Sequence, residues 1–186
     1  MTDTASAADL IAFLRSLRAV RSFRPDPVPQ EVVDDMLDVA RWSGSASNRQ
    51  PWELVVIRDR QTLGELSHLE GYARHLGEAP LGIVLVMAGE RAAQETYDEG
   101  RLAERVMLAA WAHGVGSSIG WLVGDGRAAA KQILGIPENR TVRTVISLGY
   151  PAEGTRRSRS GPARKPLSDI IHEERYGRQP TSPPEA

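Results

Sequence analysis

Residues 80–89, PLGIVLVMAG, are apolar almost without interruption. The run is too short to cross a membrane. It is dominated by Val, Ile and Leu and shows no polar alternation, so it reads as a strand buried on both faces. Two other stretches read as strands, LVVI at 54–57 and TVRTVISLGYP at 141–151. GVGSSIGWLVG, after residue 113, is expected to be a glycine-rich strand or turn.

Helical spacing marks the segments between them. Leu10, Phe13, Leu14 and Leu17 recur at one period, and Val33, Met36, Leu37 and Ala40 at another. Pro29 suits the first turn of that second helix, with Glu31 near its positive end. Residues 58–79 read as mostly helical, interrupted at Gly71 and Gly77. Residues 96–113 predict a long helix whose second half, VMLAAWAH, has almost no polar face. Such a helix sits at the centre of a domain or at a subunit contact. Asp125 is a candidate cap for the next helix, which Gly135 and Pro137 end. Ser168 is a candidate cap for a last short helix. Helices alternate unevenly with few strands, which indicates an α+β or α/β fold. We expect a loose arm at 1–9, one domain at 10–176 and a disordered tail at 177–186.

Composition narrows the functions. A net charge of −1 over 186 residues argues against a general polyanion binder. With no cysteine, disulfide and thiolate chemistry are excluded, as a reducing cytoplasm would favour. His68, His75, His113 and His172 form no metal-type pair. No apolar run has the form of a signal peptide or a membrane span.

Three stretches carry candidate chemistry. In RAVR, Arg18 and Arg21 are three residues apart, so on a helix or turn they would share a side. The tract 152–166, with RRSR at 156–159 and ARK at 163–165, is basic and lacks a core pattern. Such a tract is either disordered or ordered by an anion, and guanidinium forks suit phosphate. In SNRQPWELVVI at 47–57, Pro51 should push Gln50 into an extended conformation. That mounts Asn48 and Gln50, two amides able to donate and accept, on a stiff shoulder before a strand. The glycine-rich stretch 114–126 invites a dinucleotide-fingerprint reading. We reject it because no clean strand precedes the stretch and no helix is expected to begin inside it. Its glycines either let backbone approach a flat ligand or permit tight packing on the neighbouring helix.

Taken in order, RAVRSFRPDPVP, SGSASNRQPW, GVGSSIGWL, SLGYPAE and ARKPLSDIIHEERYG resemble the flavin-dependent nitroreductases across about residues 14–176. The resemblance implies an α+β, three-layer fold with a mostly antiparallel central sheet, assembled as a homodimer with FMN at the subunit interface. It implies NADH or NADPH as electron donor, a ping-pong mechanism, and nitroaromatic, quinone or similar acceptors. It implies that Arg18 and Arg21 hold the FMN phosphate and ribityl chain, with Arg164 and Lys165 also at the phosphate. By the same resemblance Asn48 and Gln50 face the ribityl chain and ring, and Ser45 reaches the partner's flavin. Ser118, Ile119, Gly120 and Trp121 fall where the family lays backbone along the isoalloxazine ring. Leu17, Ala19 and Gly44 depart from the family pattern of Arg, Ser and Pro. No catalytic side chain is implied. Tyr72, Arg74 and Tyr97 are candidates for the mouth of an open site.

Other readings remain at this stage. Related proteins use reduced flavin for dehalogenation, flavin fragmentation or azoline oxidation. A non-catalytic FMN-binding module is a different class. A nucleic-acid binder using RRSRSGPARK is disfavoured by the balanced charge and the lack of interleaved aromatics.

Overall fold

The computed structural model describes residues 5–154 and 164–179. They fall in two compact units that divide between residues 155 and 156, and each is described by itself. The cluster at 156–159, the start of the arm and the end of the tail lie outside the described residues.

The first unit is built on four strands: β1 (Trp52–Ile57), β2 (Leu81–Met87), β3 (Gly116–Trp121) and β4 (Thr141–Gly149). Their order is β1-β2-β4-β3, antiparallel at every pairing. Five α-helices accompany them, two before β1 and three between strands: α1 (Ala7–Ser16), α2 (Gln30–Arg41), α3 (Arg60–Ser67), α4 (Ala92–Ala112) and α5 (Gly124–Leu134).

β2 is buried along its whole length, as its apolar run requires. Leu81, Ile83 and Leu85 pack with Met36 of α2 and Leu102 and Val106 of α4. Val84 and Val86 face the other way, toward Leu63 and Leu66 of α3 and Ala130 of α5. Period-two alternation therefore feeds two separate cores, and the architecture is three layers, helix–sheet–helix. Each large aliphatic buried this way stabilises the fold by roughly 1.5–3 kcal/mol.

A bulge corrects the phase of β4. Val84 pairs with Val145 but Val86 pairs with Val142, so two β4 residues oppose one on β2. Val142 and Val145, three apart, consequently share one core. The same shift lets Arg143 reach α4, where its Nε donates to Glu99 Oε2 at 2.9 Å. Both side chains of this ion pair are nearly buried.

Several boundaries differ from the sequence reading. α1 starts inside the expected arm because Ser6 and Asp9 form a reciprocal capping box. α4 starts at Ala92 rather than 96. The buried Glu95 carboxylate accepts the N–H groups of Gly89, Glu90 and Arg91, which satisfies amides at that helix end. α3 ends at Ser67, and a 3-10 helix, Arg74–Glu78, replaces the rest of the expected helix. Asp125 does not cap α5. It lies in the first turn, and its N–H donates to the Glu70 carboxylate at 3.0 Å.

The second unit holds a 3-10 helix, Leu167–Asp169, with Ser168 inside it rather than capping it. The expected helix from 169 onward does not form. Glu173 N–H instead donates to the Arg178 carbonyl, closing a loop.

Candidate functional site

β3 is one edge of the sheet, and the segment after α1 closes one end of it. Ala19 bridges to Ser117 in parallel, and Val20 N–H donates to the Ser117 carbonyl at 2.8 Å. At the other end Gly71 bridges to Leu122, and Tyr72 N–H donates to the Trp121 carbonyl at 2.7 Å. The carbonyls of Ser117 and Trp121 thus point outward. Backbone groups alternate along a strand, so the N–H and C=O of Ile119 point outward too, in the gap between the two bridges. The Ile119 and Trp121 side chains are exposed there, with the Arg127 guanidinium 5.9 Å from the Trp121 ring centroid.

Successive side chains of β3 enter opposite layers, so buried polar atoms lie on both faces of this edge. Ser117 Oγ, Ser118 Oγ and His75 Nε2 are buried, and none has a hydrogen-bond partner among the described residues. His75 Nδ1 lies 2.7 Å from Ser147 Oγ. Burial, then the charge of Arg21, push the His75 imidazole below the usual histidine range. The backbone groups of Ile119 and Tyr72 pull the other way and lose. The outward backbone of Ile119 on this unpaired stretch of edge fits a ligand that carries both donors and acceptors.

The RAVR segment is extended, not helical, so residues three apart do not share a side. That expectation is corrected. Arg18 turns back, and its Nη1 donates to the carbonyls of Arg15 and Leu17, both at 2.6 Å. It caps the C-terminal end of α1. Arg21 is exposed and close enough to act on His75.

Ser45, Asn48 and Gln50 come together in one loop around the short 3-10 helix Ala46–Asn48. Gln50 N–H donates to Ser45 Oγ at 2.8 Å, and Gln50 Nε2 donates to the Asn48 carbonyl at 3.3 Å. Gln50 is outside any helix but is not extended. Its φ is 49°, and Ser47 and Asn48 also have positive φ, 53° and 52°. Three non-glycine residues in the left-handed region mean stored strain, which persists only where surroundings enforce it. Here the loop is tied to α4. Ala46 N–H donates to the buried carboxylate of Asp98, and Trp52 N–H donates to the Gln50 carbonyl at 2.9 Å.

The glycines near β3 serve packing. A Cβ at Gly116 would strike Val20, and one at Gly120 would strike Val145 and Ala73. The missing side chain of Gly120 therefore makes room for core, not for a flat ligand. The dinucleotide reading fails for a better reason than the one the sequence offered. A helix, α5, does begin inside the stretch, but the Glu70 carboxylate already occupies its N-terminus.

Tyr72 sits beside the β3 edge through its N–H, whereas Tyr97 lies elsewhere, on a groove of about 780 Å3 along α4 with Arg101 and Val39. Arg164 and Lys165 belong to the second unit and are exposed. No group of His, Asp and Glu among the described residues has a metal-binding arrangement.

Sequence reasoning missed three features. His75 was weighed only as a metal ligand. Arg143 carried no local signal, because a bulge aims it. Glu95, Asp98 and Glu99 did carry one: acids at i, i+3 and i+4 share a face at the head of a buried helix.

Residues 14–72 match the Nitroreductase family. An Archaeoglobus fulgidus protein with the provisional name NADH dehydrogenase/NAD(P)H nitroreductase is 32% identical over 154 residues, covering 78% of this chain and 87% of that protein. A solved FMN-dependent nitroreductase of Clostridium difficile R20291 shares the fold, with a TM-score of 0.80 at 24% identity over 89% of this chain and 99% of that one. A provisionally named NADH dehydrogenase/NAD(P)H nitroreductase of Bacteroides thetaiotaomicron has a TM-score of 0.78 at 26% identity, covering 93% of this chain and all of that one. On its motifs, its three-layer antiparallel fold and these relatives, the chain belongs to the nitroreductase family of oxidoreductases.

Proposed function

We propose that this protein is an FMN-dependent NAD(P)H oxidoreductase that reduces nitroaromatic, quinone or similar acceptors. The observation that carries the reading is the gap in β3. An outward Ile119 peptide lies there beside the basic segment that is hydrogen-bonded to Ser117. FMN has a polar ring edge, a hydroxylated chain and a phosphate, and these donors and charges match it part by part.

When bound, FMN supplies the redox chemistry, accepting a hydride from NAD(P)H and passing electrons to the acceptor in a ping-pong cycle. The protein's groups bind and orient. The Ile119 N–H is the backbone donor for the ring edge, with Ser118, Gly120 and Trp121 alongside. Arg18 and Arg21 supply positive charge for the phosphate, and Arg164 and Lys165, assigned to phosphate by the motif resemblance, are the candidates from the second unit. Asn48 and Gln50 take the ribityl chain, on a loop whose strain fixes them before the ligand arrives.

The protein acts as a homodimer. α1 has ten residues and buries none of them, leaving Leu10, Ile11 and Leu14 about half exposed. A helix that short is marginal in water without a packed face. Exposed Val39, Trp42 and Tyr97 extend the apolar surface available to a second copy. The Ser45 loop is anchored to α4, and in the dimer it reaches the partner's flavin. No helix among the described residues is long and apolar enough to cross a membrane.

Purified protein should be yellow and should bleach anaerobically on addition of NADH or NADPH, recovering colour when a quinone is added. A colourless protein that takes up no FMN would overturn this function. Bound FMN that neither nucleotide reduces would favour a non-catalytic module.

A further inference from the structure

Within this reading, we propose that His75 is a positioning residue that sets the Ser118–Ile119 peptide, the unit whose N–H faces the open edge of β3, through the hydroxyl of Ser147. The chain of contacts is continuous. His75 Nδ1 lies 2.7 Å from Ser147 Oγ, and Ser147 Oγ donates to the Ser118 carbonyl at 3.3 Å. Ser118 and Ser147 are register partners, so this hydroxyl is a side-chain donor added to the backbone pairing.

The Ser118 carbonyl and the Ile119 N–H belong to one planar trans peptide, and they point in opposite directions. A donor fixed on the inward carbonyl therefore orients the outward N–H. It also polarises that N–H, because hydrogen bonds in series strengthen one another. Beyond the backbone pairing, the side chains of β3 add no donor to this carbonyl. Gly116 and Gly120 have no side chains, and the Ser117 and Ser118 hydroxyls have no partners among the described residues.

His75 suits the task. Its position on the 3-10 helix Arg74–Glu78 lets the ring reach across to β4, tying the helical layer to the sheet. Groups from four elements meet the ring: Ser147 of β4, Ile119 of β3, the backbone of Tyr72, and Arg21, whose charge is the one that acts on it. Burial and Arg21 keep the imidazole neutral near pH 7, so it does not bring a second positive charge to the site.

The test measures the dissociation constants of FMN and riboflavin by quenching of flavin fluorescence, for wild type, His75→Leu, His75→Asn and Ser147→Ala. His75→Leu and Ser147→Ala should weaken both flavins by the same factor, about tenfold, as expected for one weakened hydrogen bond. His75→Asn, which keeps a polar group near Ser147, should recover most of that loss. If His75→Leu fails to fold, Ser147→Ala still decides the matter, since it removes the relay with little change in volume. Wild-type affinity in both variants, or a loss confined to FMN, would overturn the proposal and leave the proposed function standing. Failure of wild type to bind either flavin would overturn both.

Discussion

The guanidinium of Arg101 fills the notch left by the missing side chain of Gly44; a Cβ at residue 44 would overlap it. That space is taken by a cation on α4. The same arginine stands 3.8 Å from the buried Asp98, which holds the N–H of Ala46. Gly44, Arg101 and Asp98 thus form one clamp on the loop that bears Ser45, Asn48 and Gln50.

The clamp predicts coupling. Gly44→Ala should cost about 0.5–1 kcal/mol, because Arg101 must swing away, and the cost should vanish in an Arg101→Ala background. Urea denaturation of the four proteins in the cycle measures it. Additive costs would show that the two residues act independently.

Glu95 accepts three backbone N–H groups at the head of α4. Burial raises its pKa, but the N–H groups of Arg91, Gly89 and Glu90, with Arg143, outweigh that and leave it below the usual carboxylate range. A carboxyl depressed in the folded state adds stability at higher pH. That stability is lost as pH falls below about 4.5 and through the folded value. Glu95→Gln should cost roughly 1.5–3 kcal/mol at neutral pH and flatten this acid limb in thermal melts.

His75 has a separate pH signature. Its folded pKa lies below the ordinary 6.5, so the unfolded chain binds the extra proton first. Stability should therefore decline as pH falls from about 6.5 toward the folded value, and His75→Leu should remove that slope. Melting temperatures across this range, compared with wild type, read it directly.

The buried pair of Arg143 and Glu99 should be sensitive to losing one partner. Arg143→Met alone leaves a buried carboxylate and should cost about 3–5 kcal/mol, whereas Arg143→Met with Glu99→Met should be far milder. Equal losses in the single and double variants would contradict the pairing.

Three of the strands were legible, because an apolar run such as that of β2 can satisfy its backbone and side chains in few ways, whereas the three-layer arrangement followed only from the family resemblance. The site was legible as motifs but not as geometry. Val20 and Ser117 are distant in the chain, and nothing in RAVR announces that it lies along β3. The left-handed φ of Gln50 was hidden because proline restricts its neighbour without choosing one conformation. His75 was invisible for a simpler reason: its partner, Ser147, lies 72 residues away on another layer.

Phosphate recognition should separate the basic residues from the strand edge. Arg18→Ala and Lys165→Ala should each weaken FMN by about 1–2 kcal/mol, as expected for charged hydrogen bonds, and leave riboflavin unaffected. Unchanged FMN affinity in the double variant would remove both residues from the phosphate site.

Native mass spectrometry of the purified protein, reconstituted with FMN and freed of excess, tests the central claim most directly. The account predicts one dominant species with the mass of two chains and two FMN molecules. A single chain without flavin, or a flavin-free dimer, would contradict it.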